Sequence, residues 1–299
     1  MNSSAQAAPA DDTNKLDSQL EATLKEIGIP PRPAILEEIS REMRSDDPDF
    51  NRVANLISRD VGLAASFLKT ANSPFYGYRH KARTVRDALV ILGLNVAGRT
   101  IAGLILRHVL PGGQSMERFW DASDRTAQLS AWLVQKVGKI PDAQSDDAYT
   151  YGLFRDCGIP IMMRKFENYP AILTEANNDA DRPFTEVEEA HLPTNHALVG
   201  CLLAQSWWLP EATCLAIRHQ HDYVLMRAGL HSLPAASRRL IAIAQLAEWL
   251  LQNATGMNKT QEWTKMGEAC LAQLGLTEAD LPGLLDEAKL FLEETYNTA

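Results

Sequence analysis

The sequence predicts an all-α protein, and three observations carry that prediction. Apolar residues recur at spacings of three and four along almost the whole chain, so each stretch can bury one stripe of a helix. No run alternates apolar and polar residues for long enough to make a half-buried strand. Proline, glycine and small polar side chains fall between the periodic stretches, where helices begin and end. The expected organisation is two-lobed: a disordered tail at 1–15, an N-terminal helical lobe at 16–112, a second helical lobe at 113–225, and a C-terminal helical extension at 226–299 packed on the second lobe.

Leu16, Leu20, Leu24 and Ile27 mark a first helix stopped by Gly28 and Pro30; Ile35, Leu36, Ile39 and Met43 mark a second after Pro33. Phe50, Val53, Leu56 and Ile57 give a third. Asp60 suits the N-cap of a helix burying Leu63, Ala64, Phe67, Leu68 and Ala71, which the turn residues of Asn72-Ser-Pro-Phe-Tyr-Gly77 end. Thr84 with Asp87 reads as a capping box, opening a helix that ends at Gly93, and Asn95 caps the next through His108. Asn95, Arg99 and Arg107 interrupt the apolar window from Ala88 to Leu110, so no membrane insertion is expected where a span needs ~18 nearly uncharged residues. After the break at Pro111-Gly112-Gly113, Phe119 to Val137 forms a long amphipathic helix. A polar connection leads to a short helix carrying Arg155-Asp156. Thr185-Glu-Val-Glu188 reads as another capping box. His196 to Gln205 is strongly apolar, Trp207-Trp-Leu-Pro210 ends it, and Glu211 to Arg218 forms the next helix. The helical period resumes at Ser237 to Leu251 and at Thr277 to Leu292.

The 299 residues are 45% hydrophobic and 22% charged, the composition of a globular chain with a sizeable core. A net charge of −9 and a pI near 5.3 argue against a nucleic-acid partner, because neutralising phosphates needs clustered Lys and Arg. Cys157, Cys201, Cys214 and Cys270 have no CxxC spacing and read as buried or free thiols of a reducing compartment; the expected location is the cytoplasm. The first fifteen residues have neither a cationic start nor an apolar run, unlike a signal peptide. The sequence carries no glycine-rich phosphate loop, no G-x-S-x-G elbow, no Cys-His pair in an activating context and no basic recognition helix.

Six stretches then occur in a telling order: Ile29-Pro-Pro-Arg-Pro33, Leu56-Ile-Ser-Arg-Asp60, Leu68-Lys-Thr-Ala-Asn-Ser-Pro-Phe-Tyr-Gly77, Ala88-Leu-Val-Ile-Leu-Gly93, Phe119-Trp-Asp-Ala-Ser123 and Trp208-Leu-Pro210. In that order they resemble an HDOD domain, over roughly Leu24 to Asp222. The resemblance implies a relative of the HD metal-dependent phosphohydrolases, acting in bacterial signalling, whose second lobe is a degenerate HD-type bundle. In an active HD site several His and Asp residues hold divalent ions that generate hydroxide and clamp phosphate. Carried onto this chain, the first ligand position falls at Ala122, which has no ligand atom, and the His-Asp pair is Arg155-Asp156. The third falls at His196, the fourth at Gln220 or His221, and the last acid at Glu248.

Arginine stays protonated and offers no lone pair, so Arg155 repels a divalent ion and pairs with a carboxylate. The expectation is therefore a non-enzyme without metal or other cofactor, with Asp156, His196, His221 and Glu248 as the vestigial ligands should an ion bind. The function the resemblance implies is regulation through other signalling proteins, such as kinases, receiver domains or cyclic-dinucleotide enzymes, reached from a separate polypeptide. Two alternatives stand beside it: a residual phosphohydrolase acting on a nucleotide or cyclic dinucleotide, since three ligands plus water can suffice for zinc, and a small-ligand sensor using the same cavity.

Plainer structural roles compete for several residues. Taken alone, His196 suits a hydrogen-bonded core or helix-start position, and one of His219 and His221 suits a helix C-terminal cap. His191 and His231 read as surface residues. Arg79, Lys81, Arg83 and Arg86, with His80, form the dense basic cluster of the chain beside Phe75-Tyr76-Gly77-Tyr78. The cluster is a possible interaction patch for an acidic or phosphate-bearing partner, or a solvated loop. Trp207-Trp208 reads mainly as core, and one of the two would also suit an exposed contact surface, where Trp is enriched.

Overall fold

The computed structural model describes residues 26–72, 81–110, 114–138, 144–226, 233–257 and 259–296. Most of the expected first helix, Arg79, His80, the aromatic turn at 75–78 and His231 lie outside these residues. Within them the chain is helical, and no strand occurs among the described residues.

The N-terminal lobe comprises α1 (Ala34–Met43), α2 (Phe50–Ser58), α3 (Val61–Ala71) and α4 (Val85–Val109). Short acids set the starts of α2 and α3. Asp49 accepts from the Asn51 and Arg52 amides, and Asp60 from the Leu63 amide at 2.9 Å, each satisfying donors that have no partner inside the helix. The Thr84–Asp87 capping box opens α4. The expected break at Gly93 is present: its backbone leaves helical geometry at φ 73° and ψ 161°, and the kink there divides α4 into two helical stretches, the second carrying Asn95 in its first turn. By length and apolarity α4 would suffice to cross a membrane, yet 56% of its apolar window is buried inside the protein. The Asn72 side chain bonds both backbone groups of Ala82, at 2.7 and 2.9 Å, and so ties together the two sides of the segment between them.

The second lobe begins with α5 (Gln114–Val137), five residues earlier than the sequence suggested, followed by α6 (Ser145–Phe154) and α7 (Gly158–Lys165). Next come α8 (Tyr169–Asn178), α9 (Phe184–His191), α10 (His196–Ser206), α11 (Glu211–His219) and the short α12 (Tyr223–Met226). The C-terminal helices are α13 (Ala235–Thr255), α14 (Glu262–Leu274) and α15 (Leu281–Tyr296). The buried α13 packs against α5, α6, α11, α14 and α15. One contiguous apolar core accordingly runs from Ile29 to Leu292, across both lobes and the C-terminal helices. All four cysteines are free and buried, and burial pushes the Cys214 and Cys270 thiols up to about 12.

Two glycines bring helices into contact around Arg155-Asp156. A Cβ on Gly152 would stand 2.8 Å from the Ala127 Cα of α5, and one on Gly158 would stand 2.0 Å from the His196 carbonyl oxygen of α10. Any larger residue would hold these helices apart.

Candidate functional site

Arg155 and Asp156 fill the turn between α6 and α7, pressed between α5 and the start of α10 by the two glycines. His196 is the first residue of α10, whose Asn195 cap accepts from the Leu198 amide at 2.7 Å. His221 follows α11 and faces it: the two Nε2 atoms lie 3.1 Å apart. Asp156 Oδ1 is 3.8 Å from His196 Nε2. Asp156, His196 and His221 thus offer three ligand atoms all within 4.8 Å of one another, a group that could hold a metal ion. Phe184 stacks on the His221 ring and meets His196 edge-on, excluding water from one side of the pair.

A buried carboxylate holds the other nitrogen of each histidine. Glu188 accepts from His196 Nδ1 at 2.8 Å, from the His196 amide and, at 2.5 Å, from the Tyr169 hydroxyl. Glu262, the first residue of α14, binds His221 Nδ1 at 2.6 Å and accepts from Lys265 and the Tyr223 hydroxyl. With both Nδ1 atoms engaged, both Nε2 atoms are turned into the cavity, the orientation that carboxylate-backed histidines adopt toward metals. Burial disfavours ionisation of Glu262, but His221 and Lys265 outweigh it and bring its pKa down to about 2. Burial likewise opposes the charge on His196, and Glu188 outweighs it, so protonated His196 is favoured above its ordinary range. Glu188 was expected to close a capping box with Thr185. Instead α9 starts two residues earlier, at Phe184 with Pro183 in the N-cap position and no side-chain cap, and the acid turns inward.

Arg155 is buried beside this group. Its Nη2 is 3.2 Å from Glu248 Oε2, its Nε 3.4 Å from Asp156 Oδ2, and its Nη1 donates to the Ala244 carbonyl. Burial works against the guanidinium charge, and Glu248 and Asp156 overcome it, leaving Arg155 firmly protonated. Burial pushes the Glu248 carboxyl up to about 7 against the pull of Arg155. Glu248 therefore serves the arginine and stands outside the three-residue group. Ala122 lines the same cavity of about 320 Å³ and contributes no ligand atom.

Of the two fourth-position candidates, His221 enters the ligand group, and Gln220 donates to the Arg155 carbonyl at 2.8 Å. Neither nitrogen of His221 caps a helix. His191 is surface-lying and pairs with Glu175 at 3.0 Å. Lys81, Arg83 and Arg86 are exposed, and Arg86 donates to Asn51, so the described part of the basic cluster sits on the outer face of the N-terminal lobe. Sequence reasoning missed Glu188 and Glu262. Their signal is a carboxylate at a helix position that cannot cap, which becomes readable only once the histidine it faces is placed.

The described residues fit one divalent ion on Asp156, His196 and His221. They do not fit a pair of ions, because the Arg155 guanidinium already pairs with Glu248 and Asp156.

The HDOD domain family matches residues 29–223 of this chain. An uncharacterized protein of Treponema pallidum (strain Nichols) is 27% identical over 198 residues, spanning 65% of this chain and 38% of that protein. Among solved structures, a candidate phosphohydrolase from Shewanella amazonensis SB2B is 19% identical with a TM-score of 0.65, covering 91% of this chain and 94% of that one. A candidate signal transduction protein from Marinobacter aquaeolei VT8 is 19% identical with a TM-score of 0.64, covering 97% of this chain and 65% of that one. The two structures share its helical fold. Glu248 and Glu262, which complete the buried cluster, lie beyond the matched segment. The helical fold and the match over residues 29–223 give one assignment: this chain belongs to the HDOD domain family.

Proposed function

We propose that the protein is a non-catalytic regulatory module of bacterial signalling that acts in the cytoplasm by binding other proteins, kinases, receiver domains or cyclic-dinucleotide enzymes among them. One observation carries the reading. The Arg155 guanidinium is buried against Glu248 and Asp156, so a fixed cation occupies the ground that a second metal would need. Phosphoryl hydrolysis by two ions depends on stabilising both the attacking and the leaving oxygen, and a guanidinium cannot generate hydroxide. The name of the Marinobacter neighbour agrees with a signalling role.

A second reading is favoured by the ligand group itself. Asp156, His196 and His221 would hold a single ion, which when bound supplies Lewis acidity to a phosphate or to water. Glu188 and Glu262 would keep the imidazoles oriented for it.

The test is metal analysis of protein purified without chelator, followed by manganese-supplemented assays on cyclic dinucleotides and nucleotides. No turnover above buffer is expected from the wild type. Stoichiometric metal with turnover that His221→Ala abolishes would overturn the non-catalytic reading.

A further inference from the structure

Away from the buried cluster, a cleft of about 170 Å³ lies between the N-terminal lobe and the turn that ends α10. On one side Leu36, Ile39 and Met43 of α1 form an apolar wall, and on the other stand Trp208 and Leu209. The walls also hold two arginines, Arg32 and Arg99, and no carboxylate, on a chain whose net charge is −9. Arg99 is already paired with Asp147 at 2.5 Å. Arg32 makes no ion pair among the described residues. Its Nη2 donates to the Leu36 carbonyl and to Ser40 Oγ, while its Nε and Nη1 are buried without an acceptor. The Arg32 guanidinium is stacked on the Trp208 ring, so its charge is held by an aromatic face in place of a carboxylate. Burial and the nearby Arg44 hold the Arg32 pKa below its ordinary value, with Glu37 pulling the other way.

Trp208 supplies a second, independent observation. Its neighbour Trp207 is 2% exposed and donates its indole N–H to the Pro30 carbonyl, whereas Trp208 is 59% exposed. The Trp208 backbone sits at φ 60°, which no other non-glycine among the described residues shares in sign. A left-handed backbone at a bulky aromatic is strained and persists where its surroundings impose it, often at a binding site. Arg32 lies 3.9 Å from the Trp208 ring centroid and Arg44 5.3 Å, so the exposed indole is flanked by two cations, Arg32 stacked on it with its donors enclosed and Arg44 exposed with donors open to a carboxylate.

We propose that this cleft docks an acidic peptide segment of a partner protein, a carboxylate pairing with the exposed Arg44 beside Trp208, in the field of the Arg32 charge, while a neighbouring apolar side chain covers Trp208. The charge of the cleft selects an anion. The uncovered indole and the apolar wall of α1 select a peptide over a small acid, since they need an apolar group beside the carboxylate. This deepens the regulatory reading by giving the chemistry of its protein partner. The turnover assay above is blind to it, so either can fail without the other.

Selection of a random-peptide display library on the full chain, with Kd of the enriched peptides measured by fluorescence anisotropy, tests it. Enriched peptides should combine Asp or Glu with a large apolar residue, and binding should weaken at least about tenfold in Trp208→Gly and in the surface charge reversal Arg44→Glu. Trp208→Gly relieves the backbone strain, so circular dichroism should show it folded, and the exposed position of Arg44 provides a variant that leaves the core untouched. Enrichment of neutral or basic peptides, no enrichment, affinities unchanged in both variants, or Trp208-dependent binding to anionic lipid vesicles in place of peptides would each overturn the proposal.

Discussion

Arg155 sets the charge balance of the buried cluster. Its Nη2 is 3.2 Å from the Glu248 carboxylate, which burial has already pushed up to about 7. Removing one member of such a pair leaves an uncompensated buried charge, whereas replacing both can be nearly neutral. Arg155→Met is therefore expected to destabilise the fold by about 3–5 kcal/mol in urea melts, and adding Glu248→Leu to recover most of the loss. Glu262 gives a pH-dependent counterpart. Its folded pKa, about 2, lies below the ordinary 4.5, so it stabilises the protein above pH 4.5, and that contribution is lost as the pH falls through 2. On the order of 3 kcal/mol is at stake, and Glu262→Gln should flatten the acid limb of the stability profile.

The helices around the site are positioned by how closely their ends approach. Gly158 lets α7 touch the first turn of α10, and a methyl group there would press on the His196 carbonyl from 2.0 Å. Gly158→Ala should cost about 2–3 kcal/mol and broaden the His196 and His221 ring resonances in NMR spectra, as the two imidazoles lose their fixed separation. Gly93 offers the contrast. A Cβ there meets nothing within 4 Å, so only its backbone, at φ 73° and ψ 161° where glycine alone is at ease, resists substitution, and Gly93→Ala should cost about 1–3 kcal/mol without changing those resonances. Helix starts were the most legible elements. Asp60 and the Thr84–Asp87 box act within three residues of themselves, and a local hydrogen bond needs no tertiary information. The Thr185–Glu188 pattern looked equally local and was not, because a buried histidine competes for the same carboxylate and gains more from it.

At the scale of the whole molecule, the C-terminal helices belong to the core. Glu248 on α13 serves Arg155, and Glu262 on α14 serves His221. A chain ending at residue 225 would remove the Glu248 partner of Arg155 and the Glu262 partner of His221 and expose the face of α5 and α6 that α13 covers. It is expected to aggregate or to lose helicity by circular dichroism, whereas the full chain stays monodisperse. The four buried cysteines report on the same cooperativity. With thiol pKa values raised by burial, they should react with a thiol reagent only at the rate of global opening, and one cysteine reacting much faster in native buffer would show that a helix detaches on its own.

The sequence by itself determined the helical class and the N-terminal run of helices with their caps, because helical period and caps are carried by neighbours in the chain; the helices Tyr169–Asn178 and Glu262–Leu274 were not read from it. It also placed Asp156, His196 and a choice between Gln220 and His221. Only the tertiary structure made that choice, paired Arg155 with Glu248 across 93 residues and His221 with Glu262 across 41, and turned Trp207 inward and Trp208 outward. Those outcomes depend on which helix faces meet and on which side chain is first to satisfy a buried charge. That is a competition among distant groups that no local pattern encodes.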